Sequence, residues 1–167
     1  MITFFKKHNN NIYNILLNLS RNKFFYENIR LPDTFETRIY LMFMHFSIYM
    51  IISKKKGLKF DQKDYDYFFH NIEYNLRESG LGDVTVNKKM KDLNKILYDI
   101  LIKIDLHKDS EKSFQTNPDL LKKYFISLQS DKNAKLAEFT DYLTKFYNFC
   151  FELSLDNMLE GSNKFKI

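Results

Sequence analysis

Two apolar, periodic segments of this chain are joined by the stretch Leu76-Arg77-Glu78-Ser79-Gly80-Leu81-Gly82-Asp83-Val84-Thr85-Val86. Gly80 stands where a helix that begins near Asp61 would need a left-handed residue after its last turn, and glycine adopts that conformation without a steric penalty. Asp83 or Thr85 can accept hydrogen bonds from the free N–H groups of the next helix. The stretch therefore predicts a helix, a tight turn and a second helix.

The charges at this bend allow two interpretations. Arg77, Glu78 and Asp83 are held close together if the chain turns as predicted, and fixed charges at a bend can form a binding site. The same arrangement can equally be a capped corner, in which an ion pair only ties one helix to the next. The residues alone favour the corner. The two interpretations differ in whether a partner depends on these side chains.

The composition indicates one globular domain built from helices. Hydrophobic residues make up 44% of the 167 residues and charged residues 28%, which supplies enough apolar surface for a single buried core. Aromatic residues reach 17%, whereas four glycines and two prolines supply few of the turns that a chain of many strands needs. We therefore expect an all-α fold, a single compact helical domain of about six helices over residues 1–167.

Apolar residues recur at helical spacing in six segments. The predicted helices cover residues 9–21, 33–56, 61–79, 86–107, 117–128 and 133–159. The asparagines before residue 12 can cap the first helix. Asp33 and Glu36 form a capping box at the start of the second helix, and Gly57 ends it. Asn117 followed by Pro118 is typical of a helix start and begins the fifth helix.

The remaining parts of the chain are predicted from the same pattern. Residues 108–116 are polar and lack periodicity, so we expect a loop there. The helices within 117–159 should pack on the earlier ones. Gly161 should end the last helix, which leaves 160–167 as a loose tail. In the third helix, Asp64 is placed off the apolar stripe that contains Phe68 and Ile72.

The second predicted helix is apolar nearly all round, so the other helices should surround it. Its apolar run, Ile39–Ile52, spans 14 residues and includes His45, whereas a bilayer crossing needs about 20 residues. The start of the chain, Met1–Lys7, has too short an apolar stretch for a secretory signal, and its lysines follow that stretch instead of preceding it. We expect neither a membrane span nor a cleaved signal.

The net charge of +5 suggests an acidic partner. Three kinds of acidic partner fit this charge: RNA, an anionic membrane surface and an acidic protein face. Lys88, Lys91 and Lys95 lie on one side of the fourth predicted helix, where they form either a solvated face or a contact surface. Ile2, Phe4 and the lysines that follow could also touch a membrane surface.

Little in the sequence resembles a catalytic or metal site. The four histidines, His8, His45, His70 and His107, are scattered, and only His70 has a glutamate three residues further on. The glycines do not match a phosphate-binding loop. Cys150 lies in an apolar helical run, which would raise the pKa of its thiol. We expect no enzyme activity, no metal and no cofactor, and we expect His45 to be a core residue.

The stretch 76–86 resembles the hallmark of the ubiquinol-cytochrome c chaperone family. The family bend reads approximately Leu-Arg-Glu-Met-Gly-Val-Gly-Asp-Leu-x-Val followed by lysines, which correspond here to Lys88 and Lys89. Three further pieces agree in order: Ser20–Tyr26, Leu31–Thr34 with Arg38, and His45 seven residues beyond that arginine. The resemblance covers residues 12–105. Ser79 replaces the usual Met, and Leu97-Tyr98-Asp99 replaces a Phe-Tyr-Gly step.

The resemblance implies a non-catalytic, all-helical protein that assists assembly of the cytochrome bc1 complex, which is respiratory complex III. Its client would be nascent or newly inserted cytochrome b, held by a scaffold with an apolar groove rimmed by charge. Mitochondrial relatives receive that client partly at the ribosome, and a small helical partner protein is also expected. The short chain resembles bacterial members, which implies the cytoplasm, with peripheral contact at the cytoplasmic face of the inner membrane.

Seven residues are the expected partner-binding positions: Arg77, Glu78, Gly80, Gly82, Asp83, Lys88 and Lys89. The alternative to the chaperone is a basic helical adaptor that binds RNA, the ribosome or the membrane surface. Binding to RNA would weaken steeply with salt, because bound counterions are released from the phosphates. A membrane-bound protein that is anchored through Met1–Lys7 is a third interpretation.

Overall fold

Seven α-helices account for most of the residues that the computed structural model describes, which are 12–108, 112–130 and 134–167. The helices are α1 Ile12–Ser20, α2 Phe35–Lys55, α3 Gln62–Glu78, α4 Asp83–Lys103, α5 Pro118–Tyr124, α6 Ala134–Phe151 and α7 Leu155–Ser162. A π-helical turn, Phe24–Asn28, follows α1, and a 3-10 turn, Ile126–Leu128, follows α5. No strand occurs within the described residues, so the all-α prediction is confirmed.

Helix α2 is the centre of the fold. Every residue from Leu41 to Tyr49 is buried, which covers more than two turns and therefore all faces of the helix. Helices α1, α4, α6 and α7 pack on it, and the Phe46 and Phe68 rings, 4.8 Å apart, join it to α3. The prediction of a surrounded central helix is confirmed. Across the described ranges, no helix combines the length and apolarity that a bilayer crossing requires.

The cap of α2 differs from the prediction by one residue. Thr34, with an extended backbone, precedes the helix, and its Oγ1 accepts a hydrogen bond from the Thr37 N–H at 3.2 Å. Asp33 lies one position too early to cap and instead accepts two hydrogen bonds from the Arg38 guanidinium, at 2.8 and 3.0 Å. The Asp33 cap was therefore wrong. Gly57, with a φ of 76°, ends the helix as predicted.

The bend between α3 and α4 is a tight turn, as predicted. The Asp61 carboxylate caps α3 by accepting from the Lys63 N–H at 2.9 Å, and Gly80 has a φ of 91° after its end. The prediction that Asp83 or Thr85 caps α4 was wrong. Gly82 precedes the helix with no capping side chain, and Asp83 is already its first residue.

The two glycines of the bend should respond oppositely to the same change. We expect Gly80→Ser to lower the free energy of unfolding by about 1 kcal/mol, because its positive φ disfavours any L side chain. Gly82→Ser is the matched control, since its φ of −72° suits serine and the hydroxyl can cap α4. Urea unfolding of both variants measures this, and equal losses would contradict it.

The C-terminal region has two helices where one was predicted. The chain leaves helical geometry at Ser154, whose backbone is extended, and Gly161 lies inside α7 instead of ending the last helix. The tail is not loose, because the Ser162 hydroxyl bonds to Tyr49 at 2.5 Å and the Phe165 ring packs 5.4 Å from Tyr142. The predicted caps at Asn9–Asn11 and the start at Asn133 lie outside the described residues.

Asp64 corrects the predicted face of α3. Counting in steps of four places it above Phe68 and Ile72, so its side chain is buried on the core side. Its Oδ1 atom has no hydrogen-bond partner among the described residues. Burial, with a smaller effect from Asp61, raises the pKa of Asp64 to about 6. An ionised Asp64 therefore destabilises the fold at neutral pH.

We expect Asp64→Asn to stabilise the protein at pH 8 by about 1–2 kcal/mol. The amide fills the same space without a buried charge, and the lost attraction to the helix N-terminus offsets part of the gain. Thermal unfolding at pH 8 and pH 4.5 tests this, because the gain should vanish where Asp64 is already protonated. Asp66→Asn, an exposed neighbour on α3, is the control.

Candidate functional site

The bend is built from the last turn of α3. The Ser79 N–H donates to the Asn75 carbonyl at 3.1 Å, and the Gly80 N–H donates to the Arg77 carbonyl at 3.0 Å. These bonds satisfy carbonyls that a helix end would otherwise leave free. A Cβ atom added at Gly80 or Gly82 would meet no atom within 4 Å. The backbone of the turn is therefore open to a partner's close approach.

Arg77 joins the two helices at the bend. Its guanidinium donates to Glu73 Oε1 at 2.9 Å and also to Asp83 Oδ1. The hydrogen bonds to Glu73 and then to Asp83 raise the pKa of Arg77. Asp83 is 80% exposed, so solvent screens the pair and its contribution to stability is small. The structure brings Arg77 and Asp83 together as predicted, and their role toward a partner stays a prediction.

The other predicted partner-binding charges point to solvent. Glu78, Lys88 and Lys89 are exposed, and none makes an ion pair with another described residue. Lys88 belongs to a longer exposed surface, which we name the α4 face. Its members recur every three or four residues and are Val84, Lys88, Lys91, Lys95, Tyr98 and Ile102. This face carries three cations between apolar ends and runs from the bend toward the end of α4.

A groove with a volume of about 630 Å³ lies at the far end of the α4 face. It forms where the end of α2, the connection to α3 and the end of α4 meet. Its apolar lining comes from Met50, Ile51, Leu58, Phe60, Leu101 and Ile102. Lys54, Lys59 and Lys108 lie among these residues. We call this feature the groove and these three residues the rim lysines.

Sequence reasoning did not identify the residues of the groove. Its lining comes from segments far apart in the chain, so no single stretch shows it. Lys54 lies in the last turn of α2, where a cation is favourable without any ligand. The available signal was the segment Lys54–Phe60, in which three lysines and a glycine precede an exposed Leu58 that Lys59 follows.

His45 is a core residue, as predicted. It is fully buried, with Nδ1 2.6 Å from the Leu41 carbonyl and Nε2 2.9 Å from the Tyr142 hydroxyl. Because a carbonyl only accepts, Nδ1 carries the proton and Nε2 accepts from Tyr142. Burial lowers the pKa of His45 to about 4, although the bond to Leu41 opposes this. The neutral ring therefore joins α2 to α6.

The single cysteine of the chain is a core residue. Cys150 is buried, and its burial raises the thiol pKa to about 12, which suppresses the nucleophilic thiolate. Within the described residues, no three side chains of the metal-ligating types converge on one point. The features that stand out are instead surfaces: the bend, the α4 face and the groove.

Comparisons with known proteins identify the fold and the family of this chain. The structure of the Cbp3 homolog from Brucella abortus has the same fold, with a TM-score of 0.59 and 21% sequence identity over 96% of this chain and 94% of that chain. A search of curated proteins found no match. The family described as ubiquinol-cytochrome C chaperone matches residues 27–165, which include the bend and helices α2 to α7. This chain belongs to the ubiquinol-cytochrome c chaperone family.

Proposed function

We propose that this protein is a non-catalytic assembly chaperone of the cytochrome bc1 complex and that its client is newly made cytochrome b. The observation that carries the proposal is the family match over residues 27–165. Three properties of the chain support it: exposed charge at an open bend, a buried and neutral family histidine, and a buried thiol. These properties suit a protein that binds another protein and does not catalyse a reaction.

The bend is the proposed client contact. Loops and helix ends of a membrane subunit carry polar and charged groups that need partners until the subunit is assembled. Glu78, Lys88 and Lys89 are exposed and make no ion pair with any described residue, so they can meet such groups without breaking an existing bond. Gly80 and Gly82 leave the backbone between them uncovered.

Two substitutions test this contact. We expect Arg77→Ala and Asp83→Ala, made separately, to lower the recovery of cytochrome b roughly tenfold in a pull-down from solubilised membranes. The melting temperature should hold, because the pair is exposed. Asp141→Ala is the matched control, since it breaks an exposed ion pair with Lys145 on α6.

The result separates the two interpretations of the bend. Loss of cytochrome b at an unchanged melting temperature supports the client contact. If recovery and melting temperature fall together, Arg77 and Asp83 only join α3 to α4. Unchanged recovery in both variants would remove the bend from the client surface.

We further propose that the protein works in the bacterial cytoplasm at the cytoplasmic face of the inner membrane. The rim lysines supply positive charge that anionic lipids attract. A ribosome and a small helical partner protein belong to this proposal. Immunoprecipitation with the host's ribosomes and membranes kept intact tests these associations.

The α4 face also carries the second candidate function, a basic adaptor that binds RNA or the ribosome. Lys88, Lys91 and Lys95 are exposed on one side and could neutralise phosphates. In that case, binding to RNA should fall steeply as salt rises, and Lys91→Ala should reduce the salt slope by about one. Cytochrome b recovery that is independent of RNase treatment favours the chaperone.

A further inference from the structure

The groove presents apolar surface that the rest of the fold does not cover. Leu58 is 56% exposed and Ile102 is 53% exposed, and both lie beside the half-buried Met50, Ile51 and Leu101. Contiguous exposed apolar surface with a polar rim is typical of a binding site. The occupant should therefore have an apolar body.

The rim lysines determine the charge of that occupant. The side-chain ammonium groups of Lys54, Lys59 and Lys108 make no ion pair or hydrogen bond with any other described residue. None of the described residues that line the groove is acidic. Three ammonium groups without carboxylate partners around an apolar floor attract an anion that is attached to hydrocarbon.

Several polar groups around the groove, apart from the rim lysines, already make hydrogen bonds within the protein. At the end of α2, the Leu58 N–H donates to the Ser53 carbonyl at 2.9 Å. The Tyr65 hydroxyl donates to Asn94 at 3.0 Å, and the Gln62 amide donates to Asp66 at 2.9 Å. An extended peptide would find few partners here for its own backbone. A hydrocarbon chain needs none.

The size of the groove also favours a small ligand. A volume of about 630 Å³ falls within the range of ligand pockets, roughly 300–1,000 Å³. Twelve residues line it, whereas a stable protein–protein interface uses about 20–30 residues on each side. The groove is too small to be the main surface for a folded partner.

We propose that the groove holds one acyl chain of an anionic phospholipid, whose phosphate lies at the rim lysines. This proposal places the membrane contact proposed above at the groove, and it rests on that contact. It does not depend on cytochrome b, because lipid alone would occupy the groove.

Vesicle binding by the full-length protein tests the proposal. We expect binding to vesicles that contain phosphatidylglycerol and little binding to vesicles of phosphatidylcholine alone. Lys54→Gln and Lys59→Gln should each weaken binding about fivefold at low salt. Leu58→Ser combined with Ile102→Ser should weaken it roughly tenfold even at high salt, where charge is screened.

Matched variants outside the groove make the test specific. Lys91→Gln and Lys95→Gln remove the same charge from the α4 face, and Val84→Ser removes an exposed apolar side chain at its other end. These variants should keep most of the binding. Phe4→Ser combined with Phe5→Ser tests the terminal segment, and binding should survive it.

A phosphatidylglycerol with a photoreactive group at the end of one acyl chain locates the site directly. We expect crosslinks to Met50, Ile51 or Leu101. Crosslinks to residues 1–7, unchanged binding of the groove variants, or equal loss in the α4-face variants would each overturn the proposal. Cytochrome b recovery with the same groove variants is a separate readout, so failure of the lipid site is distinguishable from failure of the chaperone role.

Discussion

The His45→Ala variant is expected to lose roughly 3–5 kcal/mol of unfolding free energy at neutral pH. The substitution leaves a cavity in the centre of the fold, because the imidazole packs edge-on against Phe25 at 5.9 Å and Phe146 at 4.7 Å. It also leaves the buried Tyr142 hydroxyl without its acceptor. Urea unfolding at pH 7.5 measures the loss.

A double-mutant cycle with Tyr142→Phe separates the cavity from the hydrogen bond. In the wild type, Tyr142→Phe leaves Nε2 of His45 unpaired and should cost about 1–3 kcal/mol. In the His45→Ala background, Tyr142→Phe removes a hydroxyl that has already lost its acceptor. The substitution should therefore leave the unfolding free energy unchanged or raise it. Additive losses in the double variant would contradict the assigned bond.

This result bears on function because His45 is one of the residues on which the resemblance to the family was based. A side chain that is fully buried between α2 and α6 does not reach a client. At a temperature where the His45→Ala variant remains folded, we therefore expect it to recover cytochrome b as the wild type does. The bend variants should show the opposite pattern, with lost recovery and unchanged stability.

The sequence predicted the bend and the core histidine because each depends on local pattern. Gly80 is placed by the end of an apolar stripe, and His45 lies inside a run of apolar residues that leaves no polar face. The partner of His45 could not be predicted, because Tyr142 lies 97 residues away and only the packing of α6 on α2 brings it close. The ion pair between Arg77 and Asp83 followed from the turn itself.

The break between α6 and α7 has no local signal. No proline or glycine occurs from Ala134 to Glu160, so helix propensity favours one continuous helix. Tertiary contacts stabilise the break between the two helices instead. The Lys56 ammonium donates to the Leu153 carbonyl at 2.7 Å, and Ser162 reaches Tyr49 in the centre of the fold. The residues of the groove were missed for the same reason, since they come from residues 50–65 and 101–108, which lie far apart in the chain.

The second large effect is a pair of opposing pH dependences between pH 7 and pH 4.5. The pKa of His45 is lowered by burial to about 4, so the unfolded chain binds its proton first as pH falls. The fold therefore loses about 2–3 kcal/mol of stability between pH 7 and pH 4.5. The pKa of Asp64 is raised by burial to about 6, so the folded state binds its proton first and gains about 2 kcal/mol over the same range.

In the wild type these two contributions nearly cancel. A variant that removes one of the two groups should therefore show the pH dependence of the group that remains. The Asp64→Asn variant retains only the His45 contribution and should lose about 2–3 kcal/mol between pH 7 and pH 4.5. The His45→Gln variant retains only the Asp64 contribution and should gain about 2 kcal/mol over that interval, although it starts from a lower stability. Urea unfolding at several pH values measures all three profiles. A wild-type stability that does not change with pH would also result if neither group titrated. The test is therefore in the two variants, whose unfolding free energies must change with pH in opposite directions.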